Sequence, residues 1–356
     1  MVGAGLAGCL LAWRLHQAGL PFKLIGASRL PNASQAAAGI VNPVTGRWMT
    51  KSWRVEHCLP IARETYAELE ARFGEPLYHA VPARRYFQTE DDAKRAGRRS
   101  RNPRYADVLG PPLPPGARPT PLRDPAGSIP IRQAGWVDLP RLLALLRECF
   151  AATGDYLDAV FDYGQLRPAD GGWAYREDHA DRVIFCEGAG LRDNPWFRQL
   201  PLTPVKGETL ALRCASLELD PGIYHSRKWL LAYGQGRFRL GATYDETDLS
   251  HQPTESGKQE LLDAAAHFIP AEHPLHIEQH LAGLRPATPD SKPLLGAHPD
   301  HPRLFIFNGL GSKGAATAPW LSHHLLDHLQ HDHPLDPAVN LHRFPPPNFS
   351  PVETRR

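Results

Sequence analysis

No run of apolar residues in this 356-residue chain is long enough to cross a bilayer. Nor does a basic leader with an apolar stretch and a cleavage site stand ahead of its first motif, so a protein outside the membrane is expected. Cysteine is scarce. Cys9, Cys58, Cys149, Cys186 and Cys214 are odd in number, widely scattered and form no C-x-x-C, which argues against a disulfide framework and for a reducing, cytoplasmic setting. An excess of either charge is missing too: the formal net charge is +2, so overall charge singles out no partner. No Ser/His/Asp set and no paired carboxylates stand out, and a strong general base is not expected. What remains is an ordinary globular composition, 42% hydrophobic and 22% charged. The chain is long for one core, so two domains are predicted.

The most informative segment is Gly3-Ala4-Gly5-Leu6-Ala7-Gly8, which leads into the amphipathic run Leu10 to Leu15. A G-x-G-x-x-G between a strand and a helix is the phosphate turn of a dinucleotide-binding βαβ unit, its pyrophosphate sitting on unpaired helix N–H groups. Gly19-Leu20-Pro21 then breaks the helix, and Phe22 to Ile25 reads as a second buried strand. Two things are absent. The acid expected after that strand, where it would bond a ribose hydroxyl, is replaced by Gly26-Ala27-Ser28, leaving Ser28 or Arg29 as candidates. Only Met1 and Val2 precede the turn, short for a strand, so the natural protein is expected to begin several residues upstream.

Residues 34 to 47 are small and turn-rich, able to lie against a flat ligand. A helix is predicted over 54 to 73. Lys94, Arg95, Arg98, Arg99, Arg101 and Arg104 form the strongest basic run, either a solvated face or a nucleic-acid contact. Gly135-Trp136-Val137-Asp138 introduces a helix from about 141 to 152. Arg182 to Cys186 is a buried strand running into Glu187-Gly188-Ala189-Gly190, a second edge for a cofactor site. Between 204 and 243 aromatic and β-branched segments alternate with turns, predicting antiparallel strands. A helix at 257 to 269 follows. Leu304 to Phe307 then feeds a second glycine turn, Gly309 to Gly314, and a helix from 315 to 329. His324 and His328 have i, i+4 spacing, but no carboxylate or cysteine completes a metal site, and no metal is expected. The Pro-rich tail from 334 is expected to wrap the surface or stay disordered.

Several blocks in order, Gly3 to Gly8, Ser34 to Val41, Gly135 to Asp138, Gly283 to Asp290 with Pro293 to Gly296, and Gly309 to Pro319, resemble the flavoprotein family of glycine oxidase and D-amino-acid oxidase. The last two blocks look closest to the oxidase half of the bifunctional enzyme that makes 5-methylaminomethyl-2-thiouridine in tRNA. The resemblance implies an α/β, Rossmann-like FAD-binding domain and an antiparallel-sheet substrate domain. It implies FAD held by Gly3, Gly5, Leu6, Ala7 and Gly8, by Ala33, Ser34, Ala38, Gly39 and Ile40, by Val160 on the adenine side, and by Gly188. Gly309, Leu310, Gly311, Ser312, Lys313, Gly314, Ala315 and Ala316 would lie against the flavin ring. Arg285 is implied as the anchor of a substrate carboxylate, a role suited to a planar, permanently charged guanidinium. The alternative for Arg285 is a structural pair with Asp290. Ser312 stands where glycine oxidases carry an arginine, and Ser312-Lys313 resembles the Ser-Arg pair of the tRNA enzyme. Lys313 would bond the flavin through water or stand as an exposed turn lysine. Tyr233 and Tyr244, with Tyr224 and Trp229, are candidates for the pocket wall or for ordinary core.

The domains expected are an FAD-binding one from 1–75, 134–200 and 281–333, a substrate one from 76–133 and 201–280, and a tail from 334. The activity expected is FAD-dependent oxidation of the C–N bond of an amino acid or secondary amine. A tRNA-modifying oxidase acting on carboxymethylaminomethyl-uridine and a catalytically weak flavin-binding protein stay open beside it.

Overall fold

The computed structural model describes residues 1–46, 48–118 and 120–344. The chain divides into two compact units: Met1–Gln35, Pro140–Val205 and Leu284–Arg356 form one, and Ala36–Leu139 with Lys206–Gly283 the other.

The first unit is built on a parallel sheet in the spatial order Tyr156–Leu157, Leu24–Ile25, Val2, Val183–Phe185, Leu304–Asn308, closed by the antiparallel strand Leu294–Ala297. Val2 alone bridges both Ile25 and Phe185, so the place of a first strand is filled although its lead-in is short. Apart from the half-buried Tyr156–Leu157, each strand buries apolar side chains. Val2, Ile25, Phe185, Leu294, Leu304 and Ile306 join one core cluster, as burial on both faces of a parallel sheet requires. Helix Leu6–Gln17 starts at the glycine turn and packs on helix Gly314–His331, which starts at the second one. A small antiparallel meander, Leu166–Ala169, Gly172–Tyr175 and Asp178–Ala180, completes the unit.

The second unit carries a seven-stranded sheet. Its order is His276–Ala287, Thr203–Arg213, Arg237–Gly241, Trp229–Gly234, Gly222–His225, Ala83–Tyr86, Ser128–Ile131. Within it Gly222–His225 and Ala83–Tyr86 run parallel, whereas the hairpins through Trp229–Gly234 and Arg237–Gly241 are antiparallel. Helix Val55–Phe73 ends at Gly74 as the pattern predicted, and Glu255–Ala266 is capped by Thr254, whose hydroxyl accepts from Gly257 N at 3.0 Å.

The compact units divide elsewhere than the sequence reading. Residues 36–75 and 134–139, expected with the cofactor domain, group with the second unit. The cause is strand pairing: Ile40–Val41 and Tyr78–Ala80 flank Gly135–Val137 on its two sides, and Tyr66 of the long helix stacks on Tyr78 at 5.9 Å. The tail packs onto the first unit as far as Phe344, the first of the two expected outcomes. Leu335, Val339 and Leu341 are buried, and Asn340 bridges Leu295; residues 345–356 lie outside the described residues. Among the described residues no helix is long and apolar enough to cross a membrane.

Candidate cofactor and substrate site

Two glycine turns meet at one edge of the parallel sheet. Gly3 has φ +103° and lies against the Cys186 carbonyl, which a Cβ would strike; only glycine holds that conformation without strain. A Cβ on Gly8 would fall on the Gly3 carbonyl. Gly5 differs. Its nearest neighbour would be Ser34 Oγ at 3.8 Å, so its missing side chain keeps a surface open rather than relieving a clash. Beside it, Leu6 N donates to Ser34 Oγ at 3.4 Å, and helix Leu6–Gln17 has neither a side-chain cap at Gly5 nor an acid in its first turn. An uncapped helix start over a bare glycine surface suits a pyrophosphate.

The second turn is fastened to the first. Asn308 Nδ2 donates to the Gly188 carbonyl at 3.0 Å and Asn308 Oδ1 accepts from Gly309 N at 2.7 Å. Gly311 N reaches the Pro286 carbonyl at 3.0 Å. A Cβ on Gly314 would stand 3.3 Å from both Leu310 Cβ and Leu6 Cδ2. Gly3 to Gly8, Gly188 and Gly309 to Ala316 are thus one neighbourhood. Lys313 is half-buried, and desolvation lowers its pKa. Ala315 and Ala316 are buried, whereas Ser312 is exposed. Val160 is 51% exposed.

Arg285 is half-buried on strand His276–Ala287, immediately before Pro286. Asp290, the partner in the structural alternative, is held instead by Arg343 through two parallel bonds, Nε to Oδ2 at 2.8 Å and Nη2 to Oδ1 at 3.1 Å. These bonds help to hold the Asp290 carboxyl below its ordinary range against the opposing effect of burial.

Ala38, Gly39, Ile40, Tyr233 and Tyr244 belong to the second unit. There Gly39, at φ +63°, packs on the Val137 carbonyl, a structural reason for glycine that the sequence did not reveal. Ile40 pairs with Trp136. Tyr233 meets Trp136 edge-on at 4.9 Å, and Trp136 stacks on His79 at 4.1 Å. Tyr244 is 66% exposed.

Three features escaped sequence reasoning. Arg239 donates to the Ala36 carbonyl at 2.7 Å and to Thr209 Oγ1 at 3.1 Å, and burial lowers its pKa; its signal was a charge set between Phe238 and Leu240 in a strand. Glu187 accepts from Tyr163 Oη at 2.5 Å and Asn194 Nδ2 at 2.8 Å, and desolvation pushes its pKa up to about 7. Asp158 accepts from Ser28 in the gap left by the missing acid. The histidine pair is engaged in chain contacts: His324 Nε2 accepts from Asp336 N at 2.8 Å, and His328 Nδ1 lies 2.8 Å from the His333 carbonyl.

A parallel sheet with two glycine turns and a helix start at its carboxyl edge defines a dinucleotide-binding oxidoreductase architecture. The chain belongs to the FAD dependent oxidoreductase family, whose pattern matches residues 1–328. It is 26% identical to a glycine oxidase of Pseudomonas aeruginosa over 95% of this chain and 96% of that enzyme. With a tRNA 5-methylaminomethyl-2-thiouridine biosynthesis bifunctional protein of Marinobacter nauticus it shares 29% identity, over 55% of this chain and 33% of that protein. The match to a glycine oxidase of Bacillus licheniformis, at 31% identity, covers 45% of this chain and spans less than half, 46%, of that enzyme's length. In structure it is similar to an iminodiacetate oxidase from a Chelativorans species, with a TM-score of 0.79 and 25% identity over 95% of this chain and 97% of the other. FAD is the family's cofactor, and the bare Gly5 surface with its uncapped helix start fits the pyrophosphate of that group.

Proposed function

We propose that the protein oxidises the C–N bond of a small amino acid or secondary amine bearing a carboxylate. FAD, when bound, supplies the two-electron acceptor. The observation that carries this reading is the setting of Arg285. Its strand is tied to the Leu310–Gly314 turn, where Gly311 N donates to the Pro286 carbonyl at 3.0 Å. Arg285 then grips the substrate carboxylate with two parallel bonds and turns the amine-bearing carbon toward the glycine turn. The substrate nitrogen must be neutral to release electrons, so the rate rises with pH until that amine is deprotonated. Lys313 puts an ammonium at the same turn. Its pKa is lowered by burial, and it offers a positive charge beside the reacting centre. The absence of any disulfide among the five cysteines, all of them described residues, supports a cytoplasmic setting.

Anaerobic loss of flavin absorbance against a panel of N-substituted glycines and D-amino acids tests the proposal. One of these should bleach the holoenzyme, and Arg285→Lys should raise KM about 10- to 100-fold, the loss of a charge-assisted bidentate bond. Equal bleaching at low substrate overturns the anchor.

The Ser312-Lys313 pair and the Marinobacter match favour a second reading, in which the carboxymethylamino group is carried on tRNA. Against it, half of the basic run is engaged within the chain. Lys94 lies 3.5 Å from Glu90, Arg95 sits 3.4 Å from Asp92 and 4.7 Å over Trp48, and Arg99 donates to the Trp48 carbonyl at 3.2 Å. Tight, salt-sensitive tRNA binding supports this reading; none at low salt removes it.

A further inference from the structure

The acid that normally follows the second strand of a dinucleotide fold is absent from this chain, and the structure shows why position 26 has no side chain. A Cβ on Gly26 would stand 2.5 Å from Ala4 N and 2.8 Å from Ala4 Cβ, inside the phosphate turn itself. A carboxylate at that edge has to come from elsewhere. Strand Tyr156–Leu157 runs parallel beside Leu24–Ile25, with Leu157 opposite Ile25. Gly26 N donates to the Leu157 carbonyl at 3.1 Å, and Tyr156 Oη to the Gly26 carbonyl at 2.6 Å. The two strands therefore end at the same level, and the residue that follows Leu157 is Asp158.

Its carboxylate is positioned. Ser28 N donates to Oδ1 at 2.8 Å and Ser28 Oγ to Oδ2 at 2.5 Å, while Gln35 Nε2 steadies the Ser28 carbonyl at 3.3 Å. Asp158 is otherwise exposed. A carboxylate has about four acceptor positions, so the two taken by Ser28 leave others toward solvent, and the Ser28 hydroxyl, having given its proton, can itself accept. The bonds from Ser28, with smaller help from Arg147 and Arg29, hold the Asp158 pKa below its ordinary range, keeping it an acceptor at neutral pH. Two residues on, Val160 offers the exposed apolar surface that an adenine ring covers.

We infer that Asp158, supplied by the neighbouring strand and held by Ser28, is the acceptor for the adenosine ribose hydroxyls of the dinucleotide. The inference rests on the FAD reading above and adds which atoms recognise the adenosine half.

The test is equilibrium binding to flavin-depleted protein, read by flavin fluorescence, with FAD and with an analogue lacking both adenosine ribose hydroxyls. Wild type should bind the analogue at least tenfold more weakly than FAD. Asp158→Asn and Asp158→Ala should weaken FAD by a similar factor while leaving the analogue's affinity unchanged, and Ser28→Ala should fall between. Two results overturn the assignment: unaltered FAD affinity in Asp158→Ala, or equal loss for FAD and the analogue, which marks a merely structural aspartate. Failure of wild type to take up FAD at all counts against the FAD reading, so the two failures are told apart.

Discussion

Glu187 stands between Cys186, whose carbonyl faces Gly3, and Gly188, whose carbonyl takes Asn308. Burial raises its pKa from 4.5 to about 7 despite bonds from Tyr163 and Asn194. Below pH 4.5 both folded and unfolded chains hold this proton and nothing is lost. Between 4.5 and 7 the unfolded chain has released it while the folded chain keeps it, so stability falls as pH rises, by at most about 3 kcal/mol. Urea unfolding across pH 4.5 to 8 should show this fall, and Glu187→Gln should flatten it. The glycines of the first turn make a contrasting pair. Gly8→Ala places a methyl on the Gly3 carbonyl and should cost roughly 3 kcal/mol or more in thermal stability. Gly5→Ala should leave the flavin-free protein nearly as stable as the parent but weaken FAD uptake, measured by fluorescence. Both glycines were legible in the sequence as a motif. So were their different duties, since the second glycine of such a turn is the one a pyrophosphate approaches and the third the one that lets helix and strand pack closely; the particular atoms that meet each Cβ position were not, because a spacing pattern names no partners.

Among the elements, helices announced themselves by their apolar periodicity. Val55–Phe73 and Gly314–His331 lie within two residues of the expected bounds. Arg285 sits near the end of a long strand, and the loop after it is tied by Arg343 through Asp290 and the Lys292 carbonyl at 2.9 Å. That clamp was invisible beforehand because its halves are 53 residues apart. Arg343→Gln should loosen the loop that follows the Arg285 strand, raising KM for carboxylate substrates several-fold with kcat little changed; steady-state kinetics at fixed ionic strength decides it. The pair itself is partly exposed, so its loss should cost only about 1 kcal/mol of stability.

For the whole molecule, the sequence order of motifs foretold the two sheets but not the division between units. Local pattern cannot show that Ile40–Val41 pairs with Gly135–Val137. Because the cradle binds FAD only when folded, stability should rise with free FAD, by roughly 2.7 kcal/mol at a hundred times Kd, and a melting series in FAD measures it. The parallel sheet has a further consequence. Its neighbouring strands come from residues 2, 24–25, 156–157, 183–185 and 304–308, and the turn that completes the cradle follows residue 308. While a ribosome is still making the chain, the first glycine turn waits for its neighbours until residues 304–308 emerge. Assembly is dominated by distant pairings, which close slowly. Flavin capture therefore waits until residues 304–308 have been made, and a nascent chain arrested before residue 304 should emerge colourless.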